Sequence, residues 1–343
     1  MKITTLHPSV PLMAPSRDRT ILRLFLFFVA VLVLMSALKP DIFLTPANFN
    51  SMMRQFPEYG IMAIGISLTM ITGGIDLAVV GTANLSAIVA AKFLLAEVPR
   101  GAPPEVAAPM IVIAVVLALL TGLACGAFSG YLISRVGIPA ILATLGTQQL
   151  FTGIAIVITD GRPQSRLPLL YSQVGNTEFF DFVPLPFVIF CLIALLVGFM
   201  LSRTRFGTQI YMLGTNPKAS KFAGLNNKAI LLKVYMLSGF LSSISGLIMM
   251  ARANSAKADY GVSYTLQCVL IAVLGGVNPN GGFGKIVGVT LAVFILQMLS
   301  SGLNMFENVS NFYRDLIWGG VLIAVLVLNV TLEKRKAKKA IKG

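Results

Sequence analysis

Histidine is almost missing from this chain of 343 residues: the one copy, His7, stands near the N-terminus. A His-containing nucleophile triad, a His-based zinc site and an imidazole proton relay therefore lack their material. Carboxylates are scarce as well. The 13 acids include no adjacent pair and no DxxD string, so the clustered carboxylates that hold Mg²⁺ for diphosphate chemistry are absent. The three cysteines, Cys125, Cys191 and Cys268, make no CxxC pair and fall in apolar runs, which reads as buried thiols rather than disulfides or metal ligands. Charged residues are 12% of the chain against 56% hydrophobic, where a soluble domain carries about 25% charged. No catalytic residue and no metal site is expected, and the composition is that of a membrane protein rather than an enzyme.

A nucleotide loop is missing too. In GGVNPNGGFGKIVG (275–288), Pro279 stands where a Walker loop needs its first glycine, and Ile286 replaces the hydroxyl that would hold Mg²⁺. These glycines read instead as a tight turn that lets two helices pack closely.

What is present is a succession of apolar runs near the ~20 residues that cross a bilayer. They predict an all-α integral membrane fold, a polytopic bundle of about ten transmembrane helices at roughly 21–38, 58–73, 77–95, 108–133, 138–159, 184–202, 231–251, 262–276, 285–304 and 315–332. Tails at 1–20 and 333–343 flank a transmembrane domain over 21–332. The first run follows Arg17, Arg19 and Arg23 but lacks a small-x-small cleavage site after it, so it reads as a span rather than a signal peptide.

The net charge of +14 gathers beside the spans, which argues for membrane topology and against nucleic acid. With both termini cytoplasmic, the inner segments hold 18 of the 27 basic residues and the outer segments ten of the 13 acids, the expected bias. Two outer loops, 97–109 and 160–186, are rich in breakers and read as solvated connections or docking loops. The inner loop 203–233 carries six basic residues and no acid. Within it, Asn216 and Pro217 suit a helix start and Gly224 a stop; Ala219, Phe222 and Ala223 share its apolar face. Such a helix fits a groove on another protein or lies on anionic headgroups.

Two sets of residues stand out inside the spans. In TGGIDLAVVG (72–81), Asp76 is the lone charge between Glu58 and Lys92. Gly73 and Gly74 are expected to end one helix at the inner boundary and Asp76 to cap the next, with a gate or inter-subunit contact as the second reading and ion coupling as the third. The other polar groups are neutral amides and hydroxyls, among them Asn84, Thr144, Thr147, Gln148, Gln149, Thr152, Gln267 and Asn304. They suit an uncharged polyol, or simply bond helix to helix. From these, Asn84, Thr147, Gln148, Gln267 and Asn304 are the candidate substrate path.

Three ordered strings, MITGGIDLAVVGTANLSA (70–87), RTRFGTQIYMLGTNPKASKFAGLN (203–226) and AVLGGVNPNGGFGKIVGVTLAVFILQMLSSGLNM (272–305), together resemble the ribose-type permease subunits of bacterial ABC sugar importers, the branch that includes ribose, xylose, arabinose, galactose and autoinducer-2 systems. The resemblance runs from about Phe43 to Leu328. It implies a permease that imports a monosaccharide or close relative across the bacterial inner membrane and works as a homo- or heterodimer. An ABC ATPase subunit on the cytoplasmic face and a periplasmic sugar-binding protein on the other are its implied partners. The segment 215–225 is similar to the family's coupling region, which puts Gly214, Asn216, Ala219, Phe222 and Gly224 at the ATPase. This chain then needs no cofactor of its own, ATP and Mg being bound by the partner. Ala78 in place of the usual serine, and Val80 before rather than after the glycine, depart from the pattern.

Overall fold

The computed structural model describes residues 19–99 and 101–306 and, beyond them, only 316, 319, 320, 323 and 327. Most of the N-terminal tail, nearly all of the span expected at 315–332 and the basic tail 333–343 lie outside the described residues. The helices, in order, are α1 (Arg19–Leu38), α2 (Pro40–Phe43), α3 (Pro46–Ile71), α4 (Val79–Glu97) and α5 (Pro104–Tyr131), the last continued by a π-helical turn, Leu132–Val136. Then come α6 (Ala140–Thr159), α7 (Leu169–Gly175), α8 (Leu185–Arg203), α9 (Arg205–Thr215), α10 (Pro217–Phe222), α11 (Asn227–Ala253), α12 (Tyr264–Leu274) and α13 (Ile286–Leu303). Four two-residue strands complete the described elements: β1 (Gln164–Ser165) pairs antiparallel with β4 (Ser255–Ala256), and β2 (Glu178–Phe179) with β3 (Val183–Pro184).

The protein is a multi-pass, all-α membrane protein. Among the described residues seven helices are long and apolar enough to cross a membrane: α1, α4, α5 with its π turn, α6, α8, α11 and α13. Their outward faces are apolar, as at Phe25, Val116, Leu195 and Leu196, which is what acyl chains require.

Two expected spans take another form. The span predicted to start at Glu58 starts at Pro46, where the Thr45 hydroxyl accepts the Asn48 N–H at 3.3 Å. The resulting α3 has 26 residues, about 39 Å, and is buried from Phe56 to Ile71. A helix enclosed by protein needs no lipid-facing stripe, so its polar first half hides it from a search for apolar runs. The span predicted over 262–276 contains only the 11-residue α12, about 16 Å, half of a hydrocarbon core of ~30 Å. Gly276, at φ +82°, ends it: its N–H donates to Val273 O and the next N–H, of Val277, to Ala272 O, a Schellman stop.

The helices α3 and α11 form the centre. α11 lies against α5 without a layer of side chains between them, because Gly122, Gly126 and Gly130 repeat every four residues along α5. A Cβ at Gly122 or Gly126 would run into backbone atoms of Gly239 or Tyr235 on α11. Close backbone approach of this kind is how helices associate where no hydrophobic drive separates protein from lipid. On the far side of α3, the Phe56 ring meets Phe187, Phe190 and Phe294 edge-on at 5.8, 5.1 and 5.1 Å, fastening α8 and α13.

The loop 160–186, expected as a solvated connection or a docking loop, is tied down. Tyr171 on α7 donates to Leu247 O at 2.8 Å, and Asn176 Nδ2 to Ala251 O at 3.2 Å. Glu178 accepts from Asn50 Nδ2 at 2.7 Å and from Arg54. These bonds from Asn50 and then Arg54 hold the Glu178 carboxyl below the ordinary carboxylate range.

Candidate functional site

The three strings that stand out in the sequence meet at one end of the bundle. α3 stops because Gly73 adopts φ +85°; its N–H donates to Met70 O at 2.9 Å and the Gly74 N–H to Thr69 O at 3.1 Å, closing the helix in a Schellman motif. The freed carbonyl of Ile71 accepts the N–H of Gly282 at 2.8 Å, which joins the α3 end to the α12–α13 loop. Gly214 on α9 fits against this joint: any Cβ there would strike Ile71 O and the Gly282 N. Tyr211, one turn earlier, donates its hydroxyl to Gly284 O at 2.6 Å. So α3, α9 and the 278–284 loop, far apart in the chain, share one backbone junction that tolerates no side chain at its centre.

From that junction α10 projects outward. Asn216 caps it, its Oδ1 accepting the N–H groups of Lys218 and Ala219, each at 3.0 Å. Gly224, at φ +80° with open space around it, turns the chain into α11. Asn227 holds the return, donating to Pro217 O at 2.8 Å and accepting from Ser220 Oγ at 2.8 Å. Ala219 and Phe222 are exposed, Phe222 to 93%. A rigidly capped helix with a bare phenyl ring at its tip has the form of a protein contact.

Asp76 lies just behind the junction, 3% exposed. The cap expected of it takes a different form. α4 starts at Val79 with Ala78 as its N-cap residue and no side-chain cap; Asp76 Oδ1 accepts the Ala78 N–H at 3.0 Å, before the helix begins. Two residues intervene between Asp76 and Val79, too many for the carboxylate to serve the first turn. Its Oδ2 instead accepts the Ser238 hydroxyl on α11 at 2.7 Å, and its own N–H donates to Thr69 Oγ1 at 3.2 Å. The Tyr235 hydroxyl, buried without a hydrogen-bond partner among the described residues, lies over Gly74. Asp76 thus joins the break between α3 and α4 to the central α11, with no ion pair to it among the described residues.

The residues expected along a substrate path are mostly occupied in bonding helices to one another. Asn84 Nδ2 donates to Ala258 O and Tyr260 O, each at 2.9 Å. Thr147 accepts from Ser129 Oγ at 3.0 Å and donates to Thr144 O at 3.3 Å. Gln148 Oε1 accepts the Gly81 N–H at 2.8 Å. Gln267 is buried, and Asn304 is exposed at the end of α13. A groove of about 1440 Å³ opens elsewhere, between α8, α9, α10 and α13, walled by Phe190, Leu195, Phe199 and Phe294 and reaching Asn216 and Ala219.

A charge pair escaped the sequence reading. Glu58, taken there as a span boundary, is 1% exposed halfway along α3. Arg252 at the end of α11 holds both of its oxygens, Nε on Oε1 and Nη2 on Oε2 at 3.0 Å, while the Tyr264 hydroxyl donates to Oε2 at 3.3 Å. Asp76 is therefore not the lone carboxylate in the helical core. The partners lie 194 residues apart, and a polar residue at the edge of an apolar run looks like its end, so nothing local marks them.

The family described as branched-chain amino acid transport system / permease component matches residues 48–326. The chain is 33% identical over 314 residues to the ribose import permease protein RbsC of Bacillus subtilis (strain 168), covering 91% of this chain and 92% of the relative. It is 30% identical over 319 residues to the D-allose transport system permease protein AlsC of Escherichia coli (strain K12), covering 90% and 91%. To the autoinducer 2 import system permease protein LsrD of Klebsiella pneumoniae it is 30% identical over 318 residues, covering 89% of each. No solved structure matches the chain.

Proposed function

The chain belongs to the family of branched-chain amino acid transport system permease components, and we propose that it is the transmembrane permease subunit of an ATP-binding cassette importer. Its solute is a monosaccharide, pentose or hexose, or a sugar-derived molecule. Relatives named for ribose, allose and autoinducer 2 import support the sugar class. The observation that carries the reading is the junction of Gly73, Gly214 and Gly282, from which the capped α10 projects.

In this reading α10 lies on the cytoplasmic face with both termini, the chain crosses the bacterial inner membrane about ten times, and an ATPase subunit receives Ala219 and Phe222 in a groove. Movement of α10 passes through α9 to the ends of α3 and the α12–α13 loop without slack, because backbone touches backbone there. Two permeases then open a central path alternately to each side. ATP and Mg²⁺ belong to the ATPase, and a periplasmic binding protein selects the solute.

The buried Glu58–Arg252 pair does not favour a zwitterionic solute, since each charge is already answered by the other. Reconstitution in vesicles with the ATPase and binding protein, using labelled D-ribose and D-allose, tests the reading. ATP-dependent uptake that vanishes without the ATPase is expected. Gradient-driven accumulation by the chain alone would overturn it in favour of a secondary transporter.

A further inference from the structure

The loop between α11 and α12 lies deep in the bundle. Asn84 stands near the start of the spanning helix α4, and its amide donates to Ala258 O and Tyr260 O in the loop, each at 2.9 Å. Beyond Asn84, α4 runs on to Glu97, about 20 Å farther, so the loop sits well inside a hydrocarbon core of ~30 Å. Its backbone is irregular from Lys257 to Ser263, and the N–H groups of Gly261, Val262 and Ser263 make no hydrogen bond among the described residues. Lys257 and Asp259 pair at 2.9 Å on either side of Ala258, with side chains 45% and 57% exposed. Ser263 is exposed as well, and its hydroxyl caps nothing in α12. Val262 and Leu266 stand exposed beside it.

Hydrocarbon cannot be the neighbour of this face. Lipid offers nothing to bare N–H groups or to an ion pair, and irregular backbone at membrane depth occurs only where protein buries it or water reaches it. The exposure of Lys257, Asp259 and Ser263 excludes burial by the described residues. A second copy packed here would strip water from the ion pair without replacing it. Water answers every polar group on the face, and so does a sugar: its hydroxyls accept from N–H groups and exchange bonds with Ser263, while its C–H faces rest on Val262 and Leu266.

We propose that the α11–α12 loop faces water inside the membrane as one wall of the solute cavity, and that Ser263 and the N–H groups of Gly261, Val262 and Ser263 hydrogen-bond the hydroxyls of a passing sugar. The sugar contact rests on the import reading above; the exposure of the loop to water does not. Asn84 and Gln267, expected along the path, stand behind this wall instead. Asn84 holds the loop carbonyls from α4, and Gln267 is buried one turn past Ser263.

The test has two arms. In lipid nanodiscs open to solvent on both faces, the full chain carrying Ser263→Cys is treated with a charged methanethiosulfonate reagent and the modified residue is read by mass spectrometry, with Leu195→Cys as the lipid-facing control. Ser263→Cys is expected to react at least about tenfold faster than the control, because a thiol in apolar surroundings does not ionise; Val262→Cys, on the same loop, serves if the first variant fails to insert. Rates equal to the control would overturn the water-lined wall. So would a disulfide between two copies, which needs Cα atoms within about 7 Å and leaves no cavity between them. In the ATP-driven uptake assay, Ser263→Ala should lower transport about fivefold, the worth of one neutral hydrogen bond, while Ser263→Thr, which keeps the hydroxyl, retains most of it. Full uptake by Ser263→Ala, or an equal loss in both variants, would overturn the solute contact. If no variant or parent shows ATP-driven uptake, the import reading fails while the labelling arm still decides the wall.

Discussion

A single carboxylate illustrates how burial changes the meaning of a residue. In the sequence Asp76 looks like an anomalous charge and invites three readings; in the structure it is a buried acceptor for one hydroxyl and one backbone amide. Both bonds require acceptors and neither requires a charge. Asp76→Asn can keep the Ala78 bond through its carbonyl and offer its amide to the Ser238 oxygen, so we expect unchanged thermal stability of the purified protein in detergent. Asp76→Ala leaves Ser238 and the Ala78 N–H without that partner and should cost about 1–3 kcal/mol, read as a lower melting temperature. Loss of uptake in Asp76→Asn at unchanged stability would show that the charge itself serves transport.

At the scale of elements, α10 is six residues long, too short to persist by propensity alone. It holds its shape through the Asn216 cap, the Asn227 bonds to Pro217 O and Ser220, and the left-handed turn at Gly224. Proline cannot adopt φ +80°, being confined near −65°. Gly224→Pro should therefore displace α10 while leaving the membrane-spanning helices in place. Ala219→Asp adds a buried charge only where a partner covers it. In both variants we expect normal membrane insertion and ATP hydrolysis that no longer drives uptake, measured by paired ATPase and transport assays on the assembled complex. The cap and stop of this helix are legible in the string NPKASKFAG because they are local; the junction beneath it is not, since Ile71, Gly214 and Gly282 meet only through tertiary packing.

Across the whole molecule, the Glu58–Arg252–Tyr264 cluster joins α3, α11 and the start of α12 at the end of the bundle away from α10. Arg252→Ala leaves a buried, uncompensated carboxylate and should destabilise the protein by about 3 kcal/mol. Joint replacement of Glu58 and Arg252 by Leu removes both charges and should recover most of that loss, read as thermal unfolding in detergent. A double variant no more stable than the single would mean that the cluster matters for something besides its charge balance.

The sequence by itself determined the membrane environment, most of the span positions, the family resemblance and the capped α10, because apolar runs, glycine stops and cap residues act over a few neighbours. Only the tertiary structure decided that α3 extends back to Pro46, that α12 is a half-length helix, and that Glu58 has a partner. Those outcomes depend on which surfaces are covered by other helices. Lipid, water and protein each accept a different side chain at the same hydropathy, and the choice among them is made by packing across the fold.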